Sequence, residues 1–234
     1  MKIAIISDVH GNYPALSKVL EEIDRMGCER IISLGDVTGY YAEPAACLDA
    51  LRKRQAVQLL GNHDWYLATG ASCERSRLVA SLIHHQRNQI QGERLEFLKS
   101  LGSRHDEGEM TFVHGSWKDN IDEYIYQVGP EMLPPGYTYC FAGHTHVQFL
   151  TQFGGQFFCN PGSVGQPRDG DARAAFATLD SGAITLHRVA YDIDATVHSM
   201  KKAGYDNPRL WESLYIGAQI GGRIDKISIS PLTP

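Results

Sequence analysis

The stretch "IAIISDVHGNYPALSKVLEEIDRMGCERIISLGD", residues 3–36, contains the alternation that sets the fold class. The apolar run in Ile3–Ser7 is typical of a strand that is buried on both faces. A helical pattern follows, which Pro14 opens and Gly27 ends, and a second strand covers Arg30–Leu34. Strand, helix and strand at this spacing form a βαβ unit, so we expect the two strands to be parallel.

The alternation continues with a helix that begins at Pro44 and a third strand at Ala56–Leu60. Residues 64–101 have helical periodicity, and a terminal helix is expected at Asp192–Ala203. Between them, strand-like segments separated by short turns cover Met110–Val113, Tyr139–Ala142, Val147–Phe153, Gln156–Cys159, Ala174–Leu179 and Ala183–Ala190. This order predicts an α/β domain over residues 1–234, with two stacked sheets and antiparallel or mixed pairing in the second half.

Composition excludes several classes of protein. The chain has 234 residues, 43% of them hydrophobic and 21% charged, as in ordinary globular proteins. A net charge of −5 provides no basic face for nucleic acid. The apolar N-terminal run is too short for a signal peptide, and no segment has the length of a membrane span. Five scattered cysteines without a CxxC motif indicate reduced thiols, and we expect a cytoplasmic protein.

Oligomeric state remains open at this level. The tail "RIDKISISPLTP", residues 223–234, alternates apolar and polar residues. Such a pattern is compatible with an exposed edge strand or with a subunit contact.

Five of the predicted strands end in glycine together with aspartate, asparagine or histidine. The segments are Asp8-Val9-His10-Gly11, Gly35-Asp36, Gly61-Asn62-His63-Asp64, His114-Gly115 and Gly143-His144-Thr145-His146. Each motif is weak alone, because Gly-Asp is a common turn. Because ligands bind at the carboxyl ends of strands in open α/β sheets, we expect these residues to converge. His144 and His146 are two residues apart, so they would point to one side of an extended chain.

The residue types indicate a metal centre. The seven candidate ligands are two carboxylates, one amide oxygen and four imidazoles: Asp8, Asp36, Asn62, His10, His114, His144 and His146. One tetrahedral ion has no room for seven ligands, whereas two divalent ions with a bridging carboxylate use them all. Nitrogen and oxygen donors without thiolate suit manganese, which we place first, and also iron, zinc, nickel or cobalt.

His63 is then left for catalysis. It follows a candidate ligand, Asn62, and precedes Asp64. A histidine beside a two-metal centre can protonate a departing alkoxide, and a neighbouring carboxylate can fix its tautomer. The alternative is a hydrogen bond that only supports the metal ligands.

These five motifs resemble those of the calcineurin-like metallophosphoesterase superfamily. The segment "NPGSVGQPRDGD", residues 160–171, and the following strand resemble its small prokaryotic phosphodiesterase branch. The resemblance implies a four-layer αββα sandwich of two mixed sheets. It also implies one metal on Asp8, His10, Asp36 and His146, and another on Asp36, Asn62, His114 and His144. His63 would be the general acid or transition-state stabiliser, supported by Asp64.

One motif departs from the protein phosphatase branch of that superfamily. In that branch the second motif continues Gly-Asp-x-x-Asp-Arg-Gly, whereas this chain has "GDVTGYY", with Gly39 and Tyr40 in place of the Asp-Arg pair. The missing arginine clamps phosphate there, so a phosphoprotein substrate is disfavoured and a phosphodiester, which carries less charge, is favoured. Arg168 either replaces that phosphate contact or only ties its loop together with Asp169.

We therefore expect a dinuclear phosphodiesterase in which a metal-bridging hydroxide attacks phosphorus and His63 acts as general acid. Its substrate would be a small phosphate ester or a nucleotide. The alternatives are a nucleotide pyrophosphohydrolase, a phosphomonoesterase or protein phosphatase, and a non-catalytic metal-binding scaffold.

Overall fold

Twelve strands and six α-helices make up the computed structural model, which describes residues 1–230. The strands are β1 (Ile3–Ile6), β2 (Arg30–Ser33), β3 (Val57–Gln58), β4 (Arg104–Glu107), β5 (Met110–Val113), β6 (Gln127–Val128), β7 (Tyr139–Ala142), β8 (Phe149–Phe153), β9 (Gln156–Asn160), β10 (Ala174–Asp180), β11 (Ala183–Val189) and β12 (Ser228–Ile229). The helices are α1 (Tyr13–Arg25), α2 (Pro44–Lys53), α3 (Asn62–Thr69), α4 (Arg77–Gln86), α5 (Glu93–Lys99) and α6 (Ile193–Lys202). Part of the tail discussed above, residues 231–234, lies outside the described residues.

Both large sheets have mixed pairing. The first has the order β11-β10-β1-β2-β3, in which β1, β2 and β3 are parallel and β10 and β11 are antiparallel to their neighbours. The second has the order β4-β5-β7-β9-β8, with a parallel centre and antiparallel edges. Strands β6 and β12 form a separate pair. The expected α/β fold with two mixed sheets is confirmed.

Strand β1 is apolar throughout because both of its faces are buried. Ile3 and Ile5 pack between the sheets, in a cluster that includes Phe112 and Phe141 of the second sheet. Ala4 and Ile6 face the opposite way, into a cluster to which all six α-helices contribute. The outer face of the second sheet is covered by the segment 117–137, including β6 and a short 3-10 turn, in place of α-helices.

The sequence pattern failed for elements with few apolar residues. Strand β4 was not predicted, because Arg104–Glu107 is wholly polar and lies at an edge of its sheet. The pairing of β3 covers only Val57–Gln58 of the expected Ala56–Leu60. Strands β5 and β7, which lie inside the second sheet, have the predicted bounds. Within residues 1–230, no helix is long and apolar enough to cross a membrane.

Candidate metal centre

Six of the seven predicted ligands converge at the edge where β1, β2, β5 and β7 end. Their donor atoms form close groups in which all atoms lie within 4.8 Å of one another. The groups are Asp8, His10 and His146; Asp36, His114 and His144; and His10, Asp36 and His63. Asn62, the seventh, begins α3 beside His63, and its buried side-chain oxygen accepts no hydrogen bond from the described residues.

The backbone at this edge is strained in a way that singles out the same residues. Seven residues other than glycine have positive φ in the described chain, and five are predicted ligands: Asp8, His10, Asp36, His144 and His146. Left-handed backbone costs about 1 kcal/mol or more per such residue. This concentration of strain indicates that the turns are held for the placement of their side chains.

The positive φ values also correct one expectation. We expected His144 and His146 to point to one side because of an extended chain. Instead the two residues lie in a loop after β7, with φ of 66° and 58°. Their side chains enter different groups, because His144 faces His114 whereas His146 faces His10.

The first group contains unprotonated nitrogens that face one another. His10 donates from Nδ1 to the carbonyl of Thr38 at 3.0 Å, and His146 donates from Nδ1 to the carbonyl of Gln166 at 2.7 Å. Because a carbonyl only accepts, each neutral ring leaves Nε2 as a lone pair. These Nε2 atoms are 3.1 Å apart, and the Oδ1 of Asp8 lies 3.2 Å from that of His146. Such facing acceptors fit a cation between them.

The second group shares a carboxylate with the first. His114 Nε2 and His144 Nδ1 are 3.1 Å apart. The Oδ2 of Asp36 lies 3.4 Å from His114 Nε2 and 3.7 Å from His10 Nε2, between the two groups. Its other oxygen accepts a hydrogen bond from the backbone N–H of His63 at 2.8 Å. Asp36 is therefore placed to take part in both groups.

Charge at the cluster also favours a cation. Burial opposes ionisation of Asp8 and Asp36, but the neighbouring imidazoles hold the pKa of both carboxyls below the ordinary value. Burial lowers the pKa of His10 well below its usual value. For His114, Asp36 and Asp8 outweigh burial and raise the pKa to about 9. The donors are carboxylate and imidazole without thiolate, as the predicted metals require.

His63 lies at the border between the cluster and a cavity. Its Nδ1 is buried and has no hydrogen-bond partner within residues 1–230, whereas the ring lines a cavity of about 440 Å³. Burial lowers the pKa of His63 to about 4, so the ring is neutral near pH 7. The other ring nitrogen, Nε2, is the one available to the cavity.

Asp64 does not have the contact that its sequence position implied. We expected its carboxylate to support His63, but no hydrogen bond joins it to that ring in the part of the chain that is described. Instead it accepts hydrogen bonds from the backbone of Val37 and Thr38, the Thr38 hydroxyl and the backbone of Gly61. Asp64 therefore fixes the loop after β2, and burial raises its pKa to about 6.

Gly39 allows the histidine rings to pack closely. A Cβ at this position would overlap Nδ1 of His10 and lie 2.8 Å from Nδ1 of His63, and φ is +142°. The sequence indicated only that Gly39 replaces an aspartate of the protein phosphatase branch. The structure gives the physical reason, since this packing has no room for a side chain.

We expect Gly39→Ala to lower the free energy of unfolding by about 2–4 kcal/mol, from overpacking and backbone strain together. Displacement of His10 should also lower the bound metal content. Urea unfolding and elemental analysis test both effects. Gly70→Ala is the control, because Gly70 also has positive φ but has open space around it, and it should cost about 1 kcal/mol. Equal losses in the two variants would contradict the packing argument.

Arg168 reaches the cavity from a loop that is distant in sequence. Val164 and Gly165 donate backbone hydrogen bonds to the carbonyls of Ser7 and Asp8, which fixes this loop against the end of β1. Arg168 is 5% exposed and lines the cavity beside His63.

Polar contacts hold the Arg168 guanidinium without neutralising it. It donates to Oε1 of Gln166 at 2.7 and 3.0 Å and to the Tyr40 hydroxyl at 3.2 Å. Tyr40 occupies the sequence position at which the protein phosphatase branch has its arginine. In this chain its hydroxyl contacts Arg168, and both residues line the cavity. Asp169 forms an ion pair with Arg188 instead. The sequence left two interpretations of this loop, a phosphate contact or a link that only holds the loop together. The second applies to Asp169.

Two further residues near the cluster carried no signal in the sequence. The ring of Tyr124 stacks on His144 with centroids 3.7 Å apart, and Oδ1 of Asp122 lies 3.6 Å from His144 Nε2. Both belong to the irregular segment after β5, in which no periodicity indicates which residues face the site. Of the aromatic residues next to the motifs, Tyr40 lines the cavity, whereas Trp117 packs on Phe158.

Comparisons with known proteins agree with this geometry. The profile of the Calcineurin-like phosphoesterase superfamily domain matches residues 1–182. The uncharacterized protein MJ0912 of Methanocaldococcus jannaschii is 32% identical over 226 residues, covering 86% of this chain and 92% of that protein. Phosphodiesterase YfcE of Escherichia coli K12 is 27% identical over 194 residues, covering 80% and 91%. A metallophosphoesterase structure from Sphaerobacter thermophilus has a TM-score of 0.82 and 34% identity, covering 93% and 100%.

The chain belongs to the calcineurin-like phosphoesterase superfamily. It is a metal-dependent phosphoester hydrolase, as the motifs predicted.

Proposed function

We propose that this chain hydrolyses phosphodiesters with two divalent transition-metal ions, of which manganese is the first choice. The first ion would be held by Asp8, His10, Asp36 and His146. The second would be held by Asp36, Asn62, His114 and His144. When bound, the ions would neutralise charge on the phosphoryl oxygens and make water a better nucleophile.

The unpaired charge of Arg168 is the observation that favours a phosphodiester over a phosphomonoester as the substrate. Three arginines line the cavity, but Arg75 forms an ion pair with Asp122, and Arg223 forms one with Asp225 at 2.9 Å. Arg168 contacts only neutral partners among the described residues. One free guanidinium beside the metal ligands suits a phosphate with a single negative charge. The name of the E. coli relative, a phosphodiesterase, supports the same substrate class.

Each side chain at the site has a separate role in the proposed reaction. Water adds to phosphorus, the bond from phosphorus to the leaving oxygen breaks, and that oxygen takes up a proton. In its imidazolium form His63 supplies this proton, and in the neutral form, which predominates near pH 7, it donates a hydrogen bond from Nε2, the nitrogen available to the cavity. Arg168 binds a non-bridging phosphate oxygen through a charge-assisted hydrogen bond. The carbonyls of Thr38 and Gln166 keep His10 and His146 oriented.

The function is tested by comparing bis-p-nitrophenyl phosphate with p-nitrophenyl phosphate on one metal-free preparation. The preparation is reconstituted in turn with manganese, iron, zinc, nickel and cobalt. We expect kcat/KM for the diester to exceed that for the monoester at least tenfold with the best metal. Chelation should abolish turnover, and the metal should restore it. Preference for the monoester would overturn the proposal in favour of a phosphomonoesterase, and no turnover with any metal would favour a scaffold.

We expect Arg168→Lys to lower kcat/KM for the diester about tenfold, and Arg168→Met to lower it about 100-fold. A hydrogen bond to a charged group contributes about 1.5–3 kcal/mol, and lysine keeps the charge without the planar fork. Metal content should not change in either variant, because no predicted ligand contacts Arg168 through its side chain. Wild-type KM and kcat in Arg168→Met would show that Arg168 only supports its loop.

A further inference from the structure

The cavity beside the metal cluster extends well beyond the space that a phosphate needs. Its phosphate end consists of Asn62, His63 and Arg168, and its volume is about 440 Å³. This volume lies in the range of pockets that bury a small organic ligand. The remaining lining therefore has room for one of the two ester groups of the substrate.

One side of the cavity presents aromatic surface. Tyr124 and Tyr126 lie parallel to each other, with centroids 5.7 Å apart and an interplanar angle of 5°. Tyr124 is 37% exposed but stacks on His144 as well as on Tyr126. Tyr126, which also lines the cavity, is therefore the ring of the pair that a ligand can stack on. Aromatic side chains of this kind bind nucleobases by stacking.

A second part of the cavity lining is a C-terminal wall, which we define as Gln219, Ile220 and Arg223. All three line the cavity. They lie outside residues 1–182, the part that matches the superfamily profile. The C-terminal wall therefore adds to the site a surface that the superfamily profile does not cover.

One buried carboxylate fixes the C-terminal wall to the rest of the cavity. Asp225 is 6% exposed, and it accepts hydrogen bonds from Gln219 at 2.5 Å, Arg223 at 2.9 Å and the Tyr126 hydroxyl at 3.2 Å. Its backbone N–H donates to the carbonyl of Arg168 at 2.7 Å. The C-terminal wall, the aromatic side and the phosphate end are thus parts of one built site.

We propose that the substrate is a nucleoside phosphodiester, whose base lies against Tyr126 and the C-terminal wall. The charges match, because Arg168 is the one cavity arginine without a carboxylate partner in residues 1–230, and such a diester has one negative charge. The Oε1 of Gln219 and the terminal nitrogens of Arg223 make no hydrogen bond within residues 1–230, and such groups suit the edge of a base. Water adds to phosphorus, the other ester bond breaks with its oxygen taking a proton, and a nucleoside monophosphate is released.

This proposal rests on the proposed phosphodiesterase activity, and its test keeps the two apart. Thymidine 5′-(p-nitrophenyl phosphate) and methyl p-nitrophenyl phosphate have the same leaving group and the same charge, and they differ in the nucleoside. We expect the wild-type enzyme, reconstituted with manganese, to favour the nucleoside ester at least tenfold in kcat/KM, mainly through KM. Thymidine 5′-monophosphate should inhibit at least tenfold more tightly than methyl phosphate.

Variants of the C-terminal wall test whether it produces the preference for the nucleoside ester over the methyl ester. Arg223→Ala and Ile220→Ala should each reduce the ratio of the two kcat/KM values at least threefold. Arg209→Ala is the matched control, because Arg209 is an exposed arginine of the same C-terminal region that does not line this cavity. Equal kcat/KM for the two esters would overturn the nucleoside proposal and leave diester hydrolysis standing. Turnover of neither ester would overturn both proposals, and an unchanged ratio in both variants would remove the C-terminal wall from recognition.

Discussion

Asp36→Asn is expected to lose bound metal and turnover together. Its Oδ2 lies between His10 and His114, so the proposed bridging role depends on the charge of this carboxylate. Asparagine keeps an oxygen that can accept the hydrogen bond from the His63 N–H, and the change therefore removes charge with little loss of packing. We expect kcat/KM to fall by about 10³-fold or more, beyond the 10–100-fold typical of an outer-shell change.

Three measurements on the Asp36→Asn protein separate this result from misfolding. Elemental analysis should show metal loss, manganese should no longer raise its melting temperature, and circular dichroism should match that of the metal-free wild type. Asp180→Asn is the control, because Asp180 is an exposed aspartate at the opposite end of the first sheet. Wild-type metal content and turnover in Asp36→Asn would exclude the bridging role.

His63→Ala is expected to keep its metals and to lose turnover. The backbone N–H of His63 donates to Asp36, and its ring lines the cavity. Removal of the ring therefore leaves every proposed ligand in place. General acid catalysis contributes about 10²–10⁴-fold, and its weight depends on the leaving group. With an alkyl diester, whose leaving alkoxide needs a proton, we expect the full loss. With a p-nitrophenyl diester, whose phenolate leaves unassisted, the loss should be at least tenfold smaller.

His63→Gln distinguishes proton transfer from a hydrogen bond. Glutamine can donate a hydrogen bond, but its amide cannot transfer a proton near neutral pH. If His63 acts as a general acid, the Gln and Ala variants should be equally slow on the alkyl diester. Recovery in the Gln variant would indicate stabilisation by hydrogen bonding alone. Wild-type kcat on the alkyl diester in His63→Ala would remove both roles.

Much of the fold was predictable because its central strands are buried. The runs at β1, β5 and β7 are mostly apolar, as expected of short strands that are buried on both faces. The polar β4 and the two-residue β6 were missed, because they are held by neighbours rather than by their own apolar pattern. The split of residues 64–101 into three helices follows turns that periodicity does not resolve.

The candidate site was predictable to a similar limit. Motifs after the strands identified the clustered residues, since parallel strands bring their carboxyl ends to one edge. The contact predicted from the sequence between Asp64 and His63 was wrong. Adjacency to His63 suggested a contact, whereas the start of α3 turns the carboxylate toward Thr38 and the loop after β2.

Local pattern was enough to identify the buried strands, the residues at their ends and the donor types of a metal site. These depend on local pattern and on the chemistry of single side chains. Three other features depend on how distant parts of the chain pack. Arg168 has no carboxylate partner within residues 1–230, Gly39 makes room for two histidine rings, and Asp225 joins the C-terminal wall to the cavity. Arg168 and Tyr40 are 128 residues apart, and such contacts depend on how the sheets pair and stack, which local periodicity does not encode.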